Sequence, residues 1–97
     1  MIPNFDWGLA KARENVRKHG VTFEEAATAF GDEDALIDDD VEHSTTEDRF
    51  IIVGMSARER LLLTVYTFRY ADTVRIISSR HATQHERRAY ETKTRRR

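Results

Sequence analysis

Apolar residues repeat at helical spacing near the start of the chain. Leu9, Ala12 and Val16 recur at intervals of three and four, which places them on one face of a helix over residues 8–19. Gly20 follows directly, at the position where glycine commonly ends a helix in the left-handed conformation. The pattern therefore predicts a first helix that ends at Gly20 and packs through this apolar face.

A second helix and a set of strands follow along the chain. Thr22 and Glu25 have the spacing of a capping box, which predicts a second helix from Phe23 to Phe30. Four later segments are rich in β-branched and aromatic residues and are separated by short turns. The predicted strands are Ala35–Asp38, Arg49–Ser56, Leu61–Arg69 and Val74–Arg80. Their short connections require antiparallel pairing between neighbours.

A last helix completes the predicted fold. Thr83 and Glu86 form a second capping box, from which the helix runs to about Lys93. The order predicts an α+β domain with two N-terminal helices, a three- to four-stranded antiparallel sheet and a C-terminal helix. We expect the helices on one face of the sheet and an open, concave or partner-covered second face.

Composition narrows the class of protein. The chain has 97 residues, which fits one domain over 1–97, and its 39% apolar and 34% charged residues are typical of a globular protein. The absence of cysteine excludes disulfides, thiolate zinc sites and cysteine nucleophiles. No apolar run approaches the length of a membrane span, and we expect neither a signal peptide nor a membrane association. The expected location is the cytoplasm.

Charge is unevenly distributed along the chain. Residues 24–59 contain twelve acidic and two basic side chains, whereas residues 75–97 contain eight basic and two acidic ones. A basic end on a nearly neutral protein indicates nucleic-acid binding, with a solvated tail at Arg95–Arg97 as the alternative. The acidic segment 32–48 is interpreted as a solvated loop or as a docking surface for a basic partner segment.

A series of short motifs resembles one known family, the BrnT toxins. The resemblance extends from about residue 5 to 91, and its specificity lies in the order and spacing of the pieces. The matching pieces are Phe5-Asp6-Trp7, Lys11, Asn15, Lys18-His19-Gly20-Val21, Phe23-Glu24-Glu25-Ala26, Glu47-Asp48-Arg49-Phe50, Val53-Gly54, Val65-Tyr66-Thr67, Arg75-Ile76-Ile77-Ser78-Ser79-Arg80, Ala82-Thr83, Glu86-Arg87 and Tyr90-Glu91.

The resemblance implies a RelE-like α+β toxin that cleaves RNA without a metal ion. It also implies neutralisation by a BrnA-like ribbon-helix-helix antitoxin in a heterotetramer. Operator DNA would then be bound only through the antitoxin. Phe68 departs from the family, which usually has an acidic residue there, as do Tyr70 and His81 at their positions.

The residues offer the chemistry that metal-independent RNA cleavage requires. Attack of the 2′-hydroxyl on the adjacent phosphate needs a base, an acid and cations that stabilise the phosphorane. Histidine suits proton transfer near neutral pH, and the planar guanidinium of arginine matches phosphate oxygens. We expect His19, Arg69 and Arg80 to be catalytic, without assigning acid and base individually. No metal or cofactor is expected.

The strand arginines have alternative explanations. Strand alternation places Arg69 on the face of Leu63, Val65 and Thr67, and Arg80 on the face of Val74, Ile76 and Ser78. It places Arg75 on the opposite face from Arg80, so that the two cannot serve one site unless a bulge or twist intervenes. Each arginine could also be a solvated charge at a strand end, and His19 could be a packing or helix-capping residue.

A second set of residues is predicted to bind RNA or phosphate. Lys11, Asn15 and Lys18 stand at i, i+4 and i+7 and form one polar stripe on the first helix, whose alternative role is an ordinary solvent face. The other members of the set are Arg49, Arg75, Arg87 and Tyr90. Arg49 is also expected to pair with Glu47 or Asp48.

Two functional alternatives stay open from the sequence. Phe68, in place of an acidic residue, favours an inactive toxin homologue that acts as the corepressor of its antitoxin. The basic C-terminal segment favours a nucleic-acid-binding protein outside any toxin–antitoxin system. The RNA target, the dependence on the ribosome and the oligomeric state of the free chain are not given by the sequence.

Overall fold

The computed structural model describes residues 4–40 and 48–95. Within these ranges the chain forms three α-helices, a short 3₁₀ turn and five strands. In chain order they are β1 (Asn4–Asp6), α1 (Leu9–His19), α2 (Phe23–Thr28), the 3₁₀ turn Ala29–Gly31, β2 (Leu36–Asp39), β3 (Phe50–Met55), β4 (Leu61–Arg69), β5 (Thr73–His81) and α3 (Gln84–Arg95). Residues 41–47 of the acidic segment lie outside the described residues. None of the described helices is both long and apolar enough to cross a bilayer.

The strands form one mixed sheet with the order β1-β5-β4-β3-β2. The four antiparallel strands predicted from the sequence are confirmed, with bounds within two residues of those expected. The fifth strand, β1, was not predicted, and it pairs in parallel with β5 from Asn4↔Thr73 to Asp6↔Arg75. Three residues are too few to show a strand alternation, so β1 is specified by its place beside β5 rather than by its own pattern.

The main core lies between the sheet and the first two helices. Its aromatic rings meet edge to face, with Phe30 and Tyr66 centroids 4.9 Å apart and Trp7 and Phe23 centroids 5.9 Å apart. The buried residues of this core are Phe23, Ala26, Ile52, Tyr66, Val74 and Ile76.

Helix α3 packs on the other face of the sheet, so the prediction of all helices on one face is wrong. Tyr90 of α3 is buried in a second cluster with Val53, Leu61 and Leu63. In the continuous apolar run Leu61-Leu62-Leu63, successive side chains point to opposite faces of the sheet and are all buried. The run therefore provides apolar contacts on both faces. The Tyr90 hydroxyl donates a 2.6 Å hydrogen bond to Asp32 Oδ2 and anchors the helix.

A β-bulge changes which residues of β5 share a face. Val65 of β4 lies opposite Ser78, but the next residue, Tyr66, lies opposite Ile76, so Ile77 has no partner on β4. Directly opposite residues of an antiparallel pair project to the same face. The bulge therefore reverses the alternation of β5 between its two halves.

The arginines are affected directly. Arg75 lies opposite Thr67 and Arg80 lies opposite Leu63, and both partners belong to one face of β4. Arg75 and Arg80 therefore share a face, and the prediction that they lie on opposite faces is wrong. Arg80 likewise does not share the face of Val74 and Ile76, because these precede the bulge.

Helix α1 is attached through a polar side chain, and of the predicted apolar face only Ala12 packs against the core. Leu9 and Val16 are 72% and 45% exposed, whereas Asn15 is 5% exposed. The Asn15 amide donates to Ser79 O at 2.8 Å and to Val21 O at 2.9 Å, and its oxygen accepts from Ser79 N at 2.9 Å. Asn15 thus satisfies both backbone groups of Ser79, as a neighbouring strand would.

Helix α2 begins as predicted but uses its glutamate differently. Thr22 Oγ1 accepts from Glu25 N at 3.1 Å, which confirms the cap. The Glu25 carboxylate does not complete the capping box; it accepts hydrogen bonds from Ser56 Oγ at 2.7 Å and from Arg60 Nε at 2.8 Å and Nη2. The bond from Arg60 holds the pKa of Glu25 down at about 2, and Ser56 acts in the same direction against burial.

Replacing Asn15 tests the attachment of α1. Asn15→Ala leaves the N–H and C=O of Ser79 without these partners in a buried place, and we expect a loss of about 1–3 kcal/mol in unfolding free energy. Urea unfolding followed by circular dichroism measures it. Asn4→Ala is the matched control, since Asn4 is exposed and makes one 3.4 Å hydrogen bond. Equal stability of the two variants would contradict the assigned role.

Acid unfolding tests the Glu25 ion pair. Because its pKa falls from 4.5 to about 2 on folding, the pair stabilises the protein above pH 4.5 and loses this contribution as the pH falls toward 2. The lost contribution corresponds to about 3 kcal/mol. Glu25→Gln should therefore lower stability at pH 7 and flatten its decline between pH 4.5 and 2. Glu24→Gln, at the exposed neighbour, should keep the wild-type profile; an unchanged profile for Glu25→Gln would contradict the account.

Candidate active site and nucleic-acid interface

An open cavity lies on the part of the sheet that α3 leaves uncovered. It has a volume of about 480 Å³ and combines apolar strand residues with charged side chains from three elements. Helix α1 contributes its last residue, strand β5 contributes residues beyond the bulge, and α3 contributes its first turn. The lining residues are His19, Asp40, Ile51, Leu63, Val65, Ser78, Arg80 and Glu86. The predicted catalytic residues His19 and Arg80 therefore meet in one cavity, which we call the central cavity.

Arg80 is held in a fixed orientation by Glu86. Its Nη1 donates to Glu86 Oε1 at 2.9 Å and its Nη2 to Oε2 at 3.0 Å, while Nη1 also reaches His81 O at 3.0 Å. Hydrogen bonding to Glu86 raises the pKa of Arg80, and hydrogen bonding to Arg80 lowers the pKa of Glu86. The arginine is thus charged, oriented and 38% exposed, so part of its guanidinium is available to an anion.

Glu86 also ties this pair to the start of α3. Its Oε1 accepts from Thr83 N at 2.8 Å, and Glu86 N donates to Thr83 Oγ1 at 3.2 Å, which confirms the predicted capping box. The position of Arg80 therefore depends on the first turn of α3.

A second concavity, the lysine groove, adjoins the central cavity. It has a volume of about 280 Å³ and shares His19 and Ser78 with the cavity, so the two form one continuous depression. The lining residues are Lys11, Glu14, Asn15, Lys18, His19, Ile77 and Ser78. The stripe predicted on α1 does line one surface. Asn15, however, could contact phosphate only by giving up its hydrogen bonds to Ser79 and Val21.

Arg69 and Arg75 lie together at the other end of the same sheet face. Both pair with Asp6, at 3.4 Å from Arg69 Nη1 and 3.2 Å from Arg75 Nη1. The Arg69 guanidinium also lies 5.9 Å from the centroid of the Tyr70 ring. Neither arginine lines the central cavity. The structure therefore separates Arg69 from His19 and Arg80, the residues with which it was grouped.

The remaining predicted residues are placed outside both concavities. Tyr90 is buried, and burial together with its bond to Asp32 raises the pKa of its hydroxyl. Arg87 is half-buried on α3, and Arg49 precedes β3 with its carbonyl oxygen accepting from Asp40 N at 2.8 Å. Glu47, one of two expected partners of Arg49, lies outside the described residues. Tyr90 thus has a structural role.

Two cavity residues were missed by sequence reasoning as parts of a site. Glu86 was identified only as a capping residue, and its pairing with Arg80 depends on the turn between β5 and α3. Ser78 was placed on the face of Arg80, but the bulge that turns both toward His19 has no recognisable signal in the sequence.

The depression can bind an anion and transfer protons. Arg80 and the two lysines supply positive charge beside the carboxylates of Glu14, Asp40 and Glu86. His19 supplies an imidazole, the side chain that most often transfers protons in catalysis. Ser78 adds a hydroxyl group. Among the described residues, no group of three or more His, Cys, Asp or Glu is arranged to hold a metal ion. The geometry suits a phosphate ester whose ends extend in both directions.

Comparison with known proteins gives the family. The sequence model of the BrnT ribonuclease toxins of type II toxin–antitoxin systems matches residues 7–86. No curated protein matches the chain. The crystal structure of the Brucella abortus ribonuclease toxin BrnT is similar, with a TM-score of 0.65 and 20% identity, covering 84% of this chain and 99% of that chain. At this identity the structural likeness shows a shared fold.

Proposed function

The chain belongs to the BrnT family of ribonuclease toxins of type II toxin–antitoxin systems, and from this premise we propose that it is a metal-independent endoribonuclease. It inhibits growth by cleaving cellular RNA in the cytoplasm. The observation that carries the proposal is the meeting of His19 and Arg80 in the central cavity, beside the lysine groove. We include in the proposal the RelE-like type of fold, which a mainly antiparallel sheet with flanking helices supports.

The reaction is an internal phosphoryl transfer within the RNA. The 2′-oxygen loses its proton and attacks the adjacent phosphorus, and the bond to the 5′-oxygen of the next nucleotide breaks. The products are a 2′,3′-cyclic phosphate and a 5′-hydroxyl, which receives a proton. His19 carries one of the two proton transfers, and Arg80 stabilises the additional negative charge of the phosphorane.

Glu86 acts as a positioning residue for Arg80. By binding both terminal guanidinium nitrogens, it fixes the plane of the Arg80 guanidinium at the cavity before RNA binds. Preorganised charge of this kind stabilises a transition state without reorganisation during the reaction. Lys11 and Lys18 then hold phosphates on one side of the scissile bond.

Arg69 and Arg75 contact RNA away from the bond that is cleaved. They lie at the far end of the face that carries Arg80. Two positive charges share the single negative charge of Asp6, so one positive charge is left to bind phosphate. We therefore assign Arg69 to binding of flanking phosphate rather than to chemistry.

Phe68 does not remove a group from this site. It lies opposite Val74, on the side of the sheet that packs against α1 and α2, and not on the side of the central cavity. The carboxylates of that cavity come from Asp40 and Glu86. The departure from the family pattern at this position therefore does not favour an inactive protein.

The partner in this proposal is a BrnA-like antitoxin with a ribbon-helix-helix domain. Membership of a toxin–antitoxin family supports a protein partner of this kind. We further propose a heterotetramer that binds operator DNA only through the antitoxin.

Cleavage of RNA in the presence of EDTA tests the proposal. The purified, antitoxin-free chain should cleave total RNA with excess chelator present and should leave 2′,3′-cyclic phosphate ends. Arg80→Ala should reduce the rate at least about 100-fold, which is the scale of losing one transition-state donor. Gel electrophoresis and end-group analysis measure both.

Arg13→Ala is the matched control for this experiment. Arg13 is exposed on α1 and lines neither the central cavity nor the lysine groove, so its variant should keep the wild-type rate. A folded wild type without activity, on free RNA and on ribosomes alike, would contradict the proposal.

Salt dependence tests the lysine groove separately from chemistry. Each lysine that contacts single-stranded RNA adds about 0.7 to the slope of log affinity against log salt concentration. Lys11→Gln and Lys18→Gln should each lower the slope by about that amount, measured by fluorescence anisotropy in an Arg80→Ala background. Arg13→Gln should leave the slope unchanged. If the two lysine variants had the same slope as Arg13→Gln, the RNA would not be bound in the lysine groove.

A further inference from the structure

Two aromatic rings are exposed at the end of β4. Phe68 is 55% exposed and Tyr70 is 82% exposed, and they are the aromatic members of the exposed large hydrophobic side chains within the described ranges. Arg69 stands between them. We call this segment, Phe68-Arg69-Tyr70, the aromatic tip.

Both rings are held in place from one side. The Phe68 ring meets Phe50 and Tyr66 edge to face, with centroids 5.6 Å and 5.8 Å apart. Tyr70 follows with a left-handed backbone, φ 58°, and its ring lies 5.9 Å from the Arg69 guanidinium. The Phe68 ring is therefore oriented by its neighbours, and much of the Phe68 ring and most of Tyr70 face solvent.

The charges around the tip suit a polyanion that carries bases. Arg69 and Arg75 lie on one side of the sheet end and share a single carboxylate, Asp6. On the other side, Phe68 and Phe50 line a cavity of about 240 Å³ with Thr67 and Asp48. The Asp48 carboxylate repels phosphate but accepts the N–H groups of a base, so the cavity favours the base end of a nucleotide.

We propose that the aromatic tip is a base-stacking subsite for unpaired RNA that flanks the cleaved bond. This inference rests on the proposed ribonuclease function and adds where the substrate is held. Bases of a single strand stack on exposed aromatic side chains, and adjacent arginines hold its phosphates. Phe68 and Tyr70 stack bases, and Arg69 and Arg75 bind the backbone between the tip and the central cavity.

The distance from the cavity defines which nucleotides are involved. Arg80 lies opposite Leu63, and Phe68 is five residues farther along β4, which corresponds to about 17 Å of strand. The stacked bases are therefore several nucleotides away from the scissile phosphate, and substrates that end close to the cleavage site do not reach the tip.

Leucine substitutions separate stacking from general apolar contact. Phe68→Leu and Tyr70→Leu keep an apolar side chain but remove the ring that stacks. On a single-stranded RNA oligonucleotide that the wild type cleaves at one mapped site, each should raise KM about fivefold or more, with kcat little changed. Phe68→Tyr, which keeps a ring, should keep the wild-type KM. Leu9→Ala, at an exposed apolar residue that lines none of the three cavities, should have no effect. Thermal unfolding checks that each variant is folded.

Abasic substrates identify the stacked base directly. Replacing one flanking nucleotide at a time by an abasic residue should raise the wild-type KM at one or two positions several nucleotides from the cleaved bond. At those positions Phe68→Leu or Tyr70→Leu should add little further loss, because the interaction is already absent. At all other positions the losses should add.

Two results would overturn the inference while leaving the ribonuclease function intact. One is wild-type KM in both leucine variants. The other is weaker antitoxin binding with unchanged KM, which would make the tip a protein contact. A folded wild type that neither cleaves nor binds RNA would overturn the proposed function, and this inference with it.

Discussion

The hydrogen bonds between the Asn15 amide and the backbone of Ser79 determine where the proposed site lies. Strand β1 borders β5 only from Thr73 to Arg75, so the N–H and C=O of Ser79 need another partner. Asn15 supplies one donor and one acceptor, as a neighbouring peptide group would, and fixes α1 against this part of β5. Because His19 is the last residue of α1, the same bonds place it at the cavity that Arg80 also lines. A polar contact thus positions α1 against the sheet, where the sequence predicted apolar packing.

The β-bulge at Ile77 completes the arrangement. Without it, strict alternation would turn Arg80 and Ser78 toward the face that packs against α1 and α2, where the two side chains would be buried. With it, Arg75 and Arg80 lie on one face at opposite ends of β5. They mark a path about 14 Å long, the span of the four residues of β4 from Leu63 to Thr67. One end of the path has the residues proposed for phosphoryl transfer, and the other has two arginines at the sheet end where Phe68 projects to the opposite face. In the proposed function, this face binds an extended single strand as well as the reacting phosphate.

Sequence reasoning predicted the fold class and the antiparallel strands because these depend on local periodicity and turn chemistry. It failed where tertiary contacts decide. The three residues of β1 are specified by β5, and the exposed positions of Leu9 and Val16 follow from the burial of Asn15. For the site, His19, Lys11, Lys18 and Arg80 were recognised by side-chain chemistry. The separation of Arg69 from them follows from its position six residues beyond Leu63 on β4. The placement of Arg75 on the face of Arg80 depends on one unpaired residue that no composition or spacing signals.

The most direct test of the account is to locate bound RNA on the protein surface. A single-stranded RNA with a 2′-deoxy nucleotide at the cleavage position cannot react, and its binding to ¹⁵N-labelled protein can be followed by NMR chemical-shift changes. The account predicts changes along one continuous path, from Lys18 and His19 through Ser78 and Arg80 toward Arg75 and Arg69. Changes confined to the exposed side of α1, around Arg13, or scattered without a path along β5, would contradict it.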